Sequence, residues 1–302
     1  MPLYINTNTM SLNAQTHLTQ NTNNLQSIME QLSSGFRINR AGDDAAGLEL
    51  SEGLRSQYNG ASQANSNVQD GINMLNIADG AMQTIEDDLQ RMRELAVEAA
   101  NDTFNTAQRN AVNQELNSRA NDIDRIASAT QYNNQALLDG TFGGGGPVYI
   151  QLGPNADSGA PPDLNRLDIS GAVASAKISA LTAAAAAPGS QITSQLSGGA
   201  GIDITDNASA QATISSLDTA INTLNTQRGT LGAYVNQMQS AESNLSQSVE
   251  NLQAAEARIR DVDVASATSQ LTQDQVLQQS AALVLSQANQ APSIALQLLK
   301  GQ

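Results

Sequence analysis

The chain is expected to be a mainly α protein: a long antiparallel helical bundle or coiled coil with paired terminal helices and a small β-hairpin insert. Three observations lead there. Leu231, Met238, Leu245, Leu252 and Ile259 recur at an unbroken heptad spacing, and Tyr234, Ala241, Ser248 and Ala255 complete a narrow stripe on the same helical face. Leu75, Ala78, Met82, Ile85, Leu89, Met92, Ala96 and Ala99 alternate at three and four residues, which is a second seam of the same kind. Finally, the 302 residues contain no Trp, three Phe (Phe36, Phe104, Phe142) and one His, His17. Large aromatic groups supply much of the buried area of an ordinary core, so small residues and Leu/Ile/Met stripes are left, and these suit thin bundles.

Taken in order, Leu18, Leu25 and Leu32 share heptad spacing beside Ile28 and Met29, in a segment rich in Asn and Thr. Those are mediocre helix formers, so this helix forms readily only against a partner. Ser33, Ser34 and Gly35 end it, and Phe36 to Asn39 connect onward. Asp43 and Asp44 then precede a long helical pattern, where a carboxylate can accept hydrogen bonds from the free first-turn N–H groups and sit at the positive end of the helix dipole. That helix runs to about Ala100 with Gly53, Gly60, Gly71 and Gly80 inside it. Asn101, Asp102 and Thr103 read as a break and a new cap, followed by a helix with Val112, Leu116, Ile123 and Ala127 on one face. From Gly140 the character changes. Val148, Ile150 and Leu152 alternate as a short strand, with Leu167 and Ile169 as its hairpin partner. The stretch 172–207 is rich in Ala, Ser, Gly and Thr and suits a small surface subdomain or loop. A helix restarts near Ala208 (Ile214, Leu217, Ile221, Leu224), leads into the heptad stretch and ends near Arg260 and Asp261. Last, Leu277, Ala281, Val284, Ala288, Ala291, Ala295 and Leu298 alternate at four and three, with Pro292 inside the seam, where a kink or helix end is expected.

The layout is mirrored. Residues 1–42 and 263–302 are weak terminal arms, 43–171 and 208–262 are the two stronger inner halves, and 172–207 is a short variable centre. The seams imply that the halves pair antiparallel.

The net charge is −15, and Lys177 and Lys300 are the only lysines. That balance opposes nucleic acid, where affinity rests on Lys and Arg neutralising phosphates, and anionic membrane surfaces. Without Cys there is no disulfide framework or thiolate metal site. A lone His cannot build a His-based triad or a two-His metal site within one chain, and Gly143 to Gly146 lack the Lys and Ser/Thr of a phosphate loop. No HExxH is present, and no residues carry an enzyme reading or call for a cofactor. Glu86, Asp87 and Asp88 read as a solvated helix face. The uncharged stretch from Gln275 to Leu299 is interrupted by Gln, Asn and Pro292 and is not read as a membrane span. The N-terminus has neither the basic nor the apolar region of a secretory signal. Asn207 and Asn244 fit the short N-linked acceptor pattern.

LSSGFRINRAGDDAAGL (Leu32 to Leu48) resembles the N-terminal signature of bacterial flagellin, as do INTNTMSLNAQ before it and QRMRELAVEAAN and IDRIASATQYN after it. The stretch from Ala257 through Arg258, Ile259, Arg260 and Asp261 to Leu298, with VLQQSAALVLSQANQAP inside it, resembles the C-terminal signature of the same family. The matches cover about residues 3–140 and 212–299, in the expected order. The resemblance implies an extracellular homopolymer, the filament of the bacterial flagellum. It implies terminal arms paired as a coiled coil lining a central channel, with Leu18, Leu25, Leu32, Leu277, Val284, Ala288, Ala291 and Leu298 as the assembly seam. The inner helices, with Leu75, Met82, Leu89, Leu231, Met238, Leu245, Leu252 and Ile259 as core seam, would form a rod-like second layer, and an outer domain would be small or absent. It further implies export in an unfolded state without a cleaved signal peptide, and an export chaperone, a cap protein and hook-associated junction proteins as partners. Ser and Thr in 175–230 would be O-glycosylation sites. Flagellins recognised by vertebrate Toll-like receptor 5 share an arginine, a leucine and a glutamate that match Arg91, Leu95 and Glu115 here. Two other readings compete: a hook–filament junction protein with the same arm architecture, and a secreted adhesin on a coiled-coil stalk, which predicts a ligand pocket or a stable trimer instead of a filament.

Overall fold

The structure, a computed structural model, describes residues 7–156, 165–183 and 204–300, with residues 182–183 and 291–300 described by their backbone alone. Among the described residues six helices and four short strands follow in order: α1 (Thr9–Ser34), α2 (Ala45–Ala99), α3 (Thr106–Ala129), β1 (Gln131–Tyr132), β2 (Gln135–Ala136), a 3-10 turn (Phe142–Gly145), β3 (Tyr149–Gln151), β4 (Arg166–Asp168), α4 (Ile178–Ala183), α5 (Asn207–Arg260) and α6 (Val264–Lys300). Contacts group them into two units, residues 1–57 with 250–302 and residues 58–249.

The helix ends have local causes. The side chain of Asn8 accepts from Ser11 N–H at 3.1 Å to open α1, and Gly35, left-handed at φ 77°, closes it by donating to Gln31 O at 2.9 Å. Of the two aspartates before α2, Asp44 is the cap, accepting from Gly47 N–H at 2.8 Å. Asp43 instead accepts from the backbone N–H groups of Arg40 and Asn39, at 2.9 and 3.0 Å, and these bonds hold its carboxyl below the usual carboxylate range. The cap of α3 falls later than the break at Asn101 to Thr103. Asn105 and Gln108 exchange side-chain to backbone bonds at 2.9 Å in a capping box. The helix α6 runs past Pro292 to Lys300, so of the kink or helix end expected there the helix end does not occur.

In the unit 58–249 the α2 seam is the core. Leu75, Ala78, Met82, Ile85, Leu89, Met92, Ala96 and Ala99 are all buried. Val112, Leu116, Ile123 and Ala127 of α3 and Leu217, Leu224, Leu231, Met238 and Leu245 of α5 are buried with them. The insert supplies two antiparallel ribbons. The β3–β4 pair aligns Ile150 with Leu167, as its alternation predicts. The β1–β2 pair turns through Asn133 and Asn134, both at positive φ (48° and 64°), a two-residue hairpin turn that the sequence reading passed over. Part of the stretch expected as a surface loop is core: Ala172, Val173, Ala176, Ile178 and Leu181 are buried. Ile178 N–H donates to Asp124 of α3 at 3.0 Å. Residues 184–203 of that stretch lie outside the described residues.

Two of the glycines in α2 differ sharply in what surrounds them. A Cβ at Gly60 would lie 2.7 Å from Pro154 Cβ and 3.0 Å from its Cα, whereas one at Gly80 would meet nothing within 4 Å. Gly60 therefore lets the loop after β3 lie directly on the helix. Gly60→Ala is expected to destabilise by about 1–3 kcal/mol through overpacking, and Gly80→Ala to stabilise by about 0.5–1 kcal/mol through helix propensity. Urea unfolding of the two variants checks this; shifts of the same sign would contradict it.

Candidate functional site

The helices α1 and α6 form an antiparallel pair. Asn8 Nδ2 donates to Ala288 O at 2.8 Å, Ser11 Oγ meets Asn289 Oδ1 at 2.6 Å, and Gln278 Nε2 meets Thr22 Oγ1 at 3.3 Å. The pair is thin. On α1 the buried side chains are Ala14 and Ile28, with Leu18, Leu25 and Leu32 half-buried along the same stripe. On α6 Ala267 and Ala288 are buried, and Leu271, Asp274, Gln278, Ala281 and Leu285 are half-buried between them, an uninterrupted four-three series. Leu277 and Val284, expected in the seam, are exposed at 42% and 55%, and Gln278 and Leu285 take their places, while Ala281 and Ala288 lie in the stripe as expected. The polar Asp274 and Gln278 in the stripe explain why the apolar pattern placed only part of it. Ala291 and Leu298 lie outside the residues whose side chains are described. Beyond the pair's own seam Met10, Leu12, Val276 and Leu283 are exposed as well.

A clasp joins the two connections next to this pair. Arg37 N–H donates to Arg260 O at 2.6 Å, Val262 N–H donates to Gly35 O at 3.0 Å, and Phe36 and Asp261 form an antiparallel bridge. Arg37 Nη2 also donates to Ile259 O at 2.6 Å. The Arg260 guanidinium lies over the Phe36 ring, 4.7 Å from its centre, and donates to Glu52 Oε1 at 2.8 Å. The residues GFR and RDV are thus one contact, which periodicity gives no means of finding because neither is in a helix seam.

In the unit 58–249, charges tie α2 to its neighbours. Arg228 of α5 bonds Asp79 at 2.9 Å and also Glu86, and hydrogen bonding to Asp79 in particular raises the guanidinium pKa further. Arg119 of α3 bonds Asp88 at 2.9 Å. This corrects the reading of Glu86, Asp87 and Asp88 as a solvated face: Asp88 is buried, Glu86 is half-buried, and only Asp87 is exposed. Arg228→Met leaves two carboxylates without their shared donor, and because both keep contact with water the expected loss is about 0.5–1.5 kcal/mol. An unchanged urea midpoint would show that the pairing adds no stability. The five core-seam residues Leu75, Met82, Leu231, Met238 and Leu245 are buried like Leu89, while Leu252 and Ile259 are half-buried.

Comparison with known proteins decides the family. Residues 5–143 match the family model of the bacterial flagellin N-terminal helical region, and residues 214–299 match that of the C-terminal helical region. The chain belongs to the bacterial flagellins. It is similar to the flagellin of Halalkalibacterium halodurans, 40% identical over 298 residues that cover 99% of this chain and 100% of that one. It is also similar to the flagellin of Bacillus subtilis strain 168, 36% identical over 98% of this chain and 99% of the relative. A crystal structure of Bacillus cereus flagellin, 28% identical, aligns over 63% of this chain and 94% of its own with a TM-score of 0.46. Flagellins are structural filament subunits and not enzymes, so this chain is a self-polymerising component of the extracellular flagellar filament.

The flagellin carries Arg91 on α2 with its side chain 45% exposed, bonded to Glu94 at 2.9 Å and 3.5 Å from Glu115 of α3. Leu95 one turn on is 2% exposed and belongs to the core. Asn207 caps other elements, its amide donating to Ala100 O and to Asp102 Oδ1, so the N-linked pattern there describes an engaged side chain. Among the described residues no group of three His, Asp or Glu is placed to hold a metal ion. No helix among them is long and apolar enough to cross a membrane.

Proposed function

We propose that the α1–α6 pair is the element through which this flagellin polymerises, and that the subunit is exported unfolded and added at the distal tip of the filament. The observation that carries this is the ratio of surface to core in the pair. Long helices meet through a few small or half-buried side chains, while Met10, Leu12, Val276, Leu277, Leu283 and Val284 remain exposed. Exposed apolar rows of this kind mark surfaces that a partner covers. Ordering each backbone residue costs about 1–2 kcal/mol, so a pair with so little core gains most from neighbours that bury its outer apolar positions. A contact repeated head to tail, with a rotation that does not close, gives an open helical polymer.

The test combines negative-stain electron microscopy after salt-induced polymerisation, with filament fragments as seeds, and digestion by a broad-specificity protease. The expected result is filaments, with about the first and last 40 residues cleaved in the free subunit and protected in the polymer. Equal protection in both states, or compact particles despite seeding, would refute the reading and favour a junction protein or an adhesin.

The finer partners belong to the same reading. An export chaperone, a cap protein and hook-associated junction proteins are the partners of a chain that travels unfolded and polymerises at a tip. Toll-like receptor 5 would meet the exposed Arg91 and the half-buried Glu115 of its matching trio, with Leu95 supporting the helix from inside. Arg on an exposed helical face is a common anchor of such contacts. Receptor activation unchanged by Arg91→Ala would remove that partner.

A further inference from the structure

The seven methionines are divided by place. Met74, Met82, Met92 and Met238 are buried in the unit 58–249, at 6% exposure or less. Met10 and Met29 are 56% and 45% exposed, and both are on α1. Met1 lies outside the described residues. Met10 is one turn before the buried Ala14 and lines a groove of about 690 Å³ along the helix pair, whose floor mixes the apolar Ala14, Val284 and Ala288 with Asn13, His17, Gln287 and Gln290. Met29 adjoins the buried Ile28 and flanks the stripe of Leu25 and Leu32. The chain has no cysteine, so its thioethers are its only sulfur.

We infer that Met10 and Met29 are oxidation sites of the free subunit, and that their sulfoxides exclude it from the polymer. This rests on the assembly reading of the α1–α6 pair. The co-reactant is a two-electron oxidant of the peroxide class. The thioether sulfur supplies an electron pair to one peroxide oxygen, an S–O bond forms and the O–O bond breaks. The sulfur is oxidised by two electrons, and the other oxygen leaves as water after taking up a proton. The product is a polar, chiral group in place of a flexible apolar one. At Met10 it would put a strong acceptor beside Ala14, Val284 and Ala288, and at Met29 beside Ile28, where neighbouring subunits would have to strip it of water. The buried methionines are shielded by the packing of their helices, so oxidation reaches the assembly surface while leaving that core intact.

The experiment treats the full-length subunit briefly with hydrogen peroxide and follows each methionine by peptide mass spectrometry. Filament yield is then measured by sedimentation and electron microscopy, beside a Met10→Leu/Met29→Leu variant treated the same way. Expected are oxidation of Met10 and Met29 at least tenfold faster than of Met74, Met82, Met92 and Met238, and a severalfold drop in filament yield for the oxidised chain. The double variant should give the same yield before and after treatment. Uniform oxidation rates, full assembly of the oxidised chain, or an equal loss in the double variant would each overturn the inference. Failure of the untreated chain to polymerise would instead overturn the assembly reading beneath it.

Discussion

Deleting residues 277–302 is expected to abolish filament formation, reducing the polymer yield by tenfold or more, while the unit 58–249 keeps its cooperative unfolding. The deletion removes Gln278, Ala281, Leu285 and Ala288 from the stripe that faces α1, and with them the bonds from Gln278 to Thr22, from Asn8 to Ala288 O and between Ser11 and Asn289. The first half of α1 then has nothing to pack on. Half of its sequence, TMSLNAQTHLTQNTNN, is Thr or Asn, whose helix propensity is low. A helix of that length is marginal alone in water even for better formers. The exposed row of Leu277, Leu283 and Val284 disappears as well. Circular dichroism of the truncated chain would keep the thermal transition of the remaining unit, and electron microscopy would show no filaments with or without seeds. Filaments of normal yield would mean that assembly runs through another surface.

Leu89→Ala should produce the largest loss of stability from a single substitution discussed for this chain, about 2–5 kcal/mol, as expected for deleting three carbons from a site that cannot collapse. Leu89 has no exposed surface, and neither have Ile85 and Met92 on either side of it along the seam. Charge pairs fix the helix at this level from two directions. Asp88 is bonded to Arg119 of α3 at 2.9 Å, and Arg93 is bonded to Asp218 of α5 at 2.5 Å. With both neighbours held, the cavity persists. For a unit of this size the loss corresponds to a fall in Tm on the order of 10 °C. Ile77→Ala, on the same helix but 43% exposed, is the control and should cost less than about 1 kcal/mol. Equal effects of the two substitutions would show that the α2 seam is not a close-packed core.

Strong seams were legible because packing follows their period. The eight α2 positions spaced by threes and fours are all buried, as are Val112, Leu116, Ile123 and Ala127 of α3. A helix with one continuous apolar stripe and polar residues elsewhere has one way to turn inward. Helix ends at Gly35 and Asp44 were legible for a local reason, since a left-handed glycine and a capping carboxylate act within four residues of themselves. The cap at Asn105 was missed by a few residues because Asn101, Asp102 and Asn105 all have side chains able to cap.

The terminal helix α6 was harder, because two stripes one position apart compete there. Both share Ala281 and Ala288, and Leu277 and Val284 make the more apolar choice beside them, yet Gln278 and Leu285 face α1, where Gln278 finds Thr22. The Glu86 to Asp88 cluster was misread for a related reason. A run of acids looks solvated until arginines more than thirty residues away, Arg119 and Arg228, are brought against it.

The sequence by itself determined the long helices, most of their limits, the buried face of each strong seam and, through its two terminal signatures, the family. Tertiary structure alone decided which stripe of α6 meets α1, which acids are paired, that Gly60 must make room for Pro154, and that GFR and RDV form one clasp. The physical reason is range. Period, capping and propensity act within a few residues of the chain. Charge pairing, close approach and the choice between two nearby stripes depend on groups that only the fold brings together. An apolar row also records that something covers it without recording whether the cover is the same chain or the next copy.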